Sequence, residues 1–163
     1  RLVMIDSLGP LAGDEQGMAP RLAKALRKRL APPSDSATYA SLEEAVKARA
    51  GSLVPLPASV ARQFVARSLI CEEGSWRWRS DPRTRHPALS LLTEGQVLAA
   101  LSSIKVPSLL VRARFSLVPE DARLRRRREA VPDLREVVVD GGHHCHLEDA
   151  AEVIASHITD FFR

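Results

Sequence analysis

Val137-Val138-Val139-Asp140-Gly141-Gly142-His143-His144-Cys145-His146 runs from an apolar, β-branched segment through two glycines into a group of imidazoles. The valines predict a buried strand, and the glycines let the backbone turn tightly at its end. In open α/β sheets functional groups gather at the carboxyl ends of strands. A histidine in that position fits a general base held at the rim of a sheet, and His143 is the candidate. The competing reading is a polar loop with surface histidines. His143, His144, His146 and Cys145 also raise the question of a metal. Adjacent side chains in so short a loop do not converge tetrahedrally, and the sequence has no second ligand cluster, so neither metal nor cofactor is expected.

Two other buried strands accompany this one. Val106-Pro107-Ser108-Leu109-Leu110-Val111 is apolar and short, and Leu2-Val3-Met4-Ile5 ends at Asp6 before the turn-rich Ser7-Leu8-Gly9-Pro10. The text between them reads almost entirely as helix. Met18, Leu22, Leu26 and Leu30 recur every fourth residue, with Pro20 suited to a first turn. Ser41 and Glu44 form a capping pattern for a second helix that Gly51 ends, and Pro57 opens a third with Val60, Phe64 and Leu69 among its apolar positions. From Trp76 to Pro82 the chain reads as extended and turn-ending. Thr93 and Gln96 cap a helix carrying Val97, Leu98 and Leu101.

Pro119 starts the next helix, with Glu120 and Asp121 in its first turn and arginines in its last, an arrangement that complements the helix dipole. The final helix takes Asp149 as its cap, with Glu152 beyond it, and buries Val153, Ile154, Ile158 and Phe161. Continuous apolar strands joined through helices predict an α/β fold: a partial parallel sheet of about three strands with flanking helices and a helical cap insertion. The boundaries expected are 1–11 for a core strand and turn, 12–101 for the insertion and return segment, and 102–163 for the remaining core.

The 163 residues are 45% apolar, enough for one ordinary domain with a sizeable core. No apolar stretch approaches the roughly 20 residues of a membrane-spanning helix, and no signal peptide is recognisable. The formal net charge of +4 is concentrated in Arg123–Arg128, interrupted by Leu124. Aromatic residues make up only 4% of the chain and none interleaves that run, so a solvated helix face is expected rather than a nucleic-acid site. Cys71 and Cys145 form no CxxC pair, which fits a reduced, cytoplasmic setting. A strand directly after Arg1 would leave an apolar sheet edge unpaired, and the reading predicts further sequence upstream.

Gly142-His143-His144-Cys145-His146-Leu147-Glu148-Asp149 resembles the histidine loop of α/β-hydrolase-fold enzymes. Val106 to Ala113 resembles the strand that precedes the catalytic acid in that fold, and Arg1 to Pro10 is similar to the strand just before the family's cap insertion. Trp76 to Arg85 resembles the cap of a serine hydrolase-like subgroup. The resemblance covers essentially the whole chain in order and implies the carboxyl-terminal half of such an enzyme, with His143 as its catalytic base.

The departures are as informative. No Gly-x-Ser-x-Gly turn is present, and Ser7 lacks the leading glycine that a strained nucleophile turn requires. Where the family usually places its acid, the chain offers Arg112-Ala113-Arg114-Phe115-Ser116, and Arg114 cannot orient an imidazole as an anion does. Glu120 and Asp121 come late and are explained by capping. Asp6 is the other option, since haloalkane dehalogenases take their acid from the end of this earlier strand. It either pairs with the non-reacting nitrogen of His143 or simply closes a turn onto the following backbone.

Trp76 and Trp78 share one face by alternation and are candidates for lining an apolar substrate pocket, or for packing within the cap. Cys145 reads as a small packing residue, and His86 and His157 as structural. The expected function is the carboxyl-terminal portion of a serine hydrolase acting on a small ester-like molecule, inactive by itself, with no nucleic-acid or membrane partner. The alternatives are a non-catalytic truncated product or pseudoenzyme, an epoxide or haloalkane hydrolase with an upstream aspartate nucleophile, and a nucleic-acid binder.

Overall fold

The computed structural model describes residues 1–32 and 37–163. Along the chain the elements are β1 (Leu2–Ile5), α1 (Met18–Leu30), β2 (Thr38–Tyr39), α2 (Leu42–Ala50), α3 (Ala58–Ser68), β3 (Leu69–Glu72), β4 (Ser75–Trp78), α4 (Glu94–Ser102), β5 (Ser108–Phe115), α5 (Ala122–Ala130), β6 (Leu134–Gly142) and α6 (Ala151–Phe162). They fall into two compact units, Arg1–Met18 with Ser90–Arg163, and Ala19–Leu89.

The larger unit is an α/β layer structure. Its sheet has three strands in the order β1-β5-β6, both pairings parallel. Because side chains alternate along a strand, β5 feeds two cores. Leu110 packs with Leu8, Val97, Leu101, Leu124 and Val131 on the face covered by α4 and α5. Leu109, Val111 and Ala113 pack with Val139, Cys145 and Ile154 on the opposite face, where α6 lies. The sheet is therefore covered on both sides, as the near-continuous apolar strands require. The boundaries of this unit differ from the expected 11/12 and 101/102. The helix α4 belongs to it, because Val97 and Leu101 are fully engaged in its core.

The capping chemistry is largely as the sequence reads. Thr93 and Gln96 form a complete capping box on α4, and Ser41 Oγ accepts from Glu44 N at 3.1 Å. Glu44 bonds back to Ala40 N rather than to the cap residue itself. Pro119 lies ahead of α5, whose cap is Asp121, accepting from Leu124 N at 2.9 Å. The cap of α6 is Ala150 rather than Asp149, and Val153 faces solvent, leaving Ile154 as the fully buried residue of that helix.

The smaller unit corrects the expectation of an almost entirely helical insertion. It contains a three-stranded antiparallel sheet in the order β2-β4-β3. Leu69 is the first residue of β3, not part of the third helix. Glu73 and Gly74 join β3 to β4 with φ of 50° and 78°, the left-handed pair that a tight hairpin requires. The helices α2 and α3 pack over this sheet through Ala45, Val46, Leu56, Ala61, Val65 and Leu69, with Tyr39, Trp76 and Trp78 against them. The face of α1 that carries Met18, Leu22, Leu26 and Leu30 is exposed, and Ala25 is the buried residue of that helix.

Candidate functional site

Asp6 follows β1 directly and is buried, with 2% of its surface exposed. Its φ of 44° lies in the left-handed region, which short polar side chains tolerate better than others. That turn directs the carboxylate across the end of β5. Oδ1 accepts from Ala113 N at 2.9 Å, while Oδ2 accepts from Ser116 Oγ at 2.9 Å and meets His143 Nδ1 at 2.7 Å. The cost of burying a carboxylate is thus offset by hydrogen bonds from three groups.

His143 arrives from the opposite edge of the sheet. It follows β6, which ends in Gly141 and Gly142. Gly141 has φ of 121°, and a Cβ there would come within 3.2 Å of Cys145 Cβ, so a side chain at this position is strained and crowds the turn. The imidazole side chain is about one-third exposed, against 1% for that of Asp6. With Nδ1 donating its hydrogen to the carboxylate, the neutral ring presents Nε2 as an acceptor. Asp6 and His143 thus come from the two outer strands of the sheet, and β5 between them sets their separation.

A cavity of about 470 Å³ lies beside this pair. Leu8, Pro10, Leu11, Leu117, Val118 and Leu124 form much of its apolar wall, and Asp6, Ser7, Asp121, Arg123, Arg127 and His143 also border it. The volume is in the range of small-molecule sites.

The arginine run is not a uniformly solvated face, which corrects the sequence reading. Arg127 is buried, and its Nη1 donates to Leu8 O at 2.9 Å and Pro10 O at 3.0 Å while Glu94 binds the rest of the guanidinium. It fixes the loop that follows Asp6 and forms one wall of the cavity. A signal was present: Leu124 and Arg127 are spaced i, i+3 on the buried side of α5, with Val131, the residue that ends the helix, buried four positions on. Arg128 pairs with Glu120 and Glu136. Glu94 and Glu120 are both held below the ordinary glutamate value, foremost by hydrogen bonds from Arg127 and Arg128 respectively.

The remaining candidates fall elsewhere. Arg114 pairs with Asp140 at the exposed ends of β5 and β6 and does not touch His143's ring nitrogen. Cys145 is fully buried in the core under α6, and desolvation pushes its thiol pKa up. Among the described residues no cluster of three or more His, Cys, Asp or Glu is placed to hold a metal. Trp76 and Trp78 pack within the smaller unit, where Trp78 Nε1 donates to Tyr39 Oη at 3.3 Å and its ring lies 6.2 Å from that of Phe64. Ser7 lines the cavity, with no glycine ahead of it. No described helix is long and apolar enough to cross a membrane. The sequence reading missed Ser116, whose hydroxyl no composition or spacing rule distinguishes from that of any other loop serine.

No protein-family model matches the sequence, and no curated protein does. Solved structures do. A hypothetical protein of Pseudomonas aeruginosa PAO1 is 31% identical, matching 99% of this chain and 58% of its own with a TM-score of 0.89. The thioesterase domain from the curacin biosynthetic pathway is 22% identical over 97% of this chain and 56% of its own, with a TM-score of 0.79. E-2-(acetamidomethylene)succinate hydrolase is 21% identical over 98% of this chain and 56% of its own, with a TM-score of 0.69. The chain therefore spans less than two-thirds of each of these structures.

Proposed function

We propose that this chain, which has the α/β-hydrolase fold, supplies the general base and its orienting carboxylate to a hydrolase of small ester-like substrates. The observation that carries the reading is the 2.7 Å contact between His143 Nδ1 and the buried Asp6 Oδ2 at the carboxyl ends of parallel strands. A cavity of small-molecule size beside the pair supports it, as do the thioesterase-domain and hydrolase structures that share the fold.

The chemistry would proceed through a serine hydroxyl lying outside these residues. His143 Nε2 takes the hydroxyl proton as the oxygen attacks the substrate's carbonyl carbon. The imidazolium then returns that proton to the departing alcohol or thiol. Water, deprotonated by the same nitrogen, releases the acid and regenerates the serine. Asp6 holds the tautomer throughout and stabilises the imidazolium without taking the proton. The chain by itself is then inactive.

The test is hydrolysis of p-nitrophenyl butyrate by the intact protein that contains these residues. His143→Ala lowers kcat by at least ~10³-fold, and Asp6→Asn by ~10²–10⁴-fold with little change in KM. Unchanged turnover in His143→Ala rules the proposal out.

A further inference from the structure

We propose that Ser116 is a positioning residue for the Asp6–His143 pair, its hydroxyl orienting the carboxylate oxygen that faces the imidazole and occupying part of its accepting capacity. The inference rests on the reading of His143 as a base and adds the group that orients the carboxylate toward its Nδ1.

Ser116 follows β5, the strand between the two that carry Asp6 and His143. Its Oγ accepts from Val118 N at 2.9 Å, which leaves the hydroxyl hydrogen free to point at Asp6 Oδ2, also 2.9 Å away. The hydroxyl is therefore held as a donor to the carboxylate. Two donors converge on Oδ2, Ser116 Oγ and His143 Nδ1, while Ala113 N occupies Oδ1. Ala113 and Ser116 together clamp both oxygens from the end of a single strand. A hydrogen bond to an anion disperses its charge, so the Ser116 hydroxyl weakens what Oδ2 offers to the imidazolium. Removing it concentrates that charge on His143.

Other charged or titratable groups surround the imidazole. The His144 ring is centred 5.2 Å away, and the buried Cys145 follows in the same turn. Glu148 approaches the two glycines ahead of His143, Arg114 and Asp140 pair at the strand ends, and Asp121, Arg123 and Arg127 border the shared cavity. The hydroxyl of Ser116 meets Asp6 and Val118, so its loss reaches His143 through the carboxylate.

The experiment records the Nδ1–H proton resonance of His143 by NMR in the intact protein that contains these residues, comparing the native protein with Asp6→Asn, Ser116→Ala and Ser116→Thr. Asp6→Asn moves that resonance upfield and Ser116→Ala moves it downfield, because the two changes act oppositely on the charge that Oδ2 presents to the ring. Ser116→Thr, which keeps a hydroxyl, returns the resonance to its native position, and unchanged backbone amide resonances away from the pair report an intact fold. A resonance unmoved by Asp6→Asn overturns the pairing itself. A response to Asp6→Asn with none to Ser116→Ala, or with Ser116→Thr following Ser116→Ala, overturns the role of Ser116 alone.

Discussion

Glu94 grips Arg127 with both carboxylate oxygens, Oε1 accepting from Nε at 2.9 Å and Oε2 from Nη2 at 2.7 Å. The pair joins the first turn of α4 to the last turn of α5, and the remaining guanidinium nitrogen reaches the carbonyls of Leu8 and Pro10. A planar fork suits this arrangement where a lysine ammonium does not. Arg127→Met leaves a half-buried carboxylate and two carbonyls without their donor and lowers stability by ~3 kcal/mol. Arg127→Lys recovers only part of that loss. Urea denaturation of the two variants measures both.

The same pair gives stability a dependence on acid. Arg127 holds Glu94 below the usual carboxyl value of 4.5. A group lowered on folding stabilises the native state above its unfolded pKa, and the contribution disappears as pH falls through the folded value. The stability difference between the native chain and Glu94→Gln is therefore largest at neutral pH. It shrinks as pH is brought below about 4.5. Unfolding midpoints collected across that range show whether the difference closes.

Asp6→Asn also has a cost independent of activity. The amide keeps the size of the carboxylate and tolerates the left-handed backbone, but it cannot accept equally from Ala113, Ser116 and His143. A loss of ~1–3 kcal/mol is expected from the weakened buried hydrogen bonds. Asp6→Ala should cost more, since it also removes the side chain suited to φ of 44°. Thermal unfolding distinguishes the two.

Gly9 lies in the loop held by Arg127 and has φ of 79°, and a Cβ at that position would stand 3.0 Å from Val97 Cγ1. Gly9→Ala therefore combines an unfavourable backbone with a tight contact and destabilises the chain by ~1–2 kcal/mol. Because Val97 is fully buried, its side chain has little freedom to withdraw. Calorimetry provides the measurement.

Trp78 links β4 to Tyr39 and Phe64 within the smaller unit. Trp78→Ala removes a half-buried ring packed against that core and costs ~2 kcal/mol. Hydrogen exchange should show the loss of protection across α2, α3 and β3, whereas Trp78→Phe, which loses chiefly the bond to Tyr39, has a much smaller effect.

The α/β pattern was legible because the buried strands are short apolar runs whose neighbours have helical periodicity. The pairing of Asp6 with His143 could be posed from sequence, since both end strands, but choosing it over a local turn required knowing that β5 separates their strands. The antiparallel sheet was less visible. Leu69-Ile70-Cys71-Glu72 directly continues a helical segment, and only Glu73-Gly74 marks the reversal. Arg127 was concealed by composition, because a run of arginines reads as solvated unless its spacing from Leu124 and Val131 is weighed. Ser116 had no local signature at all. Its contact with Asp6 spans 110 positions and exists only once the sheet has assembled.

The two thiols occupy very different surroundings: Cys71 is exposed on β3, and Cys145 is enclosed beneath α6 with its ionisation suppressed by burial. A maleimide dye should therefore attach to one position in the native state and to both after denaturation. Site-selective labelling thus becomes possible without engineering, and the delayed reaction of Cys145 becomes a clock for opening of the core beneath the histidine turn.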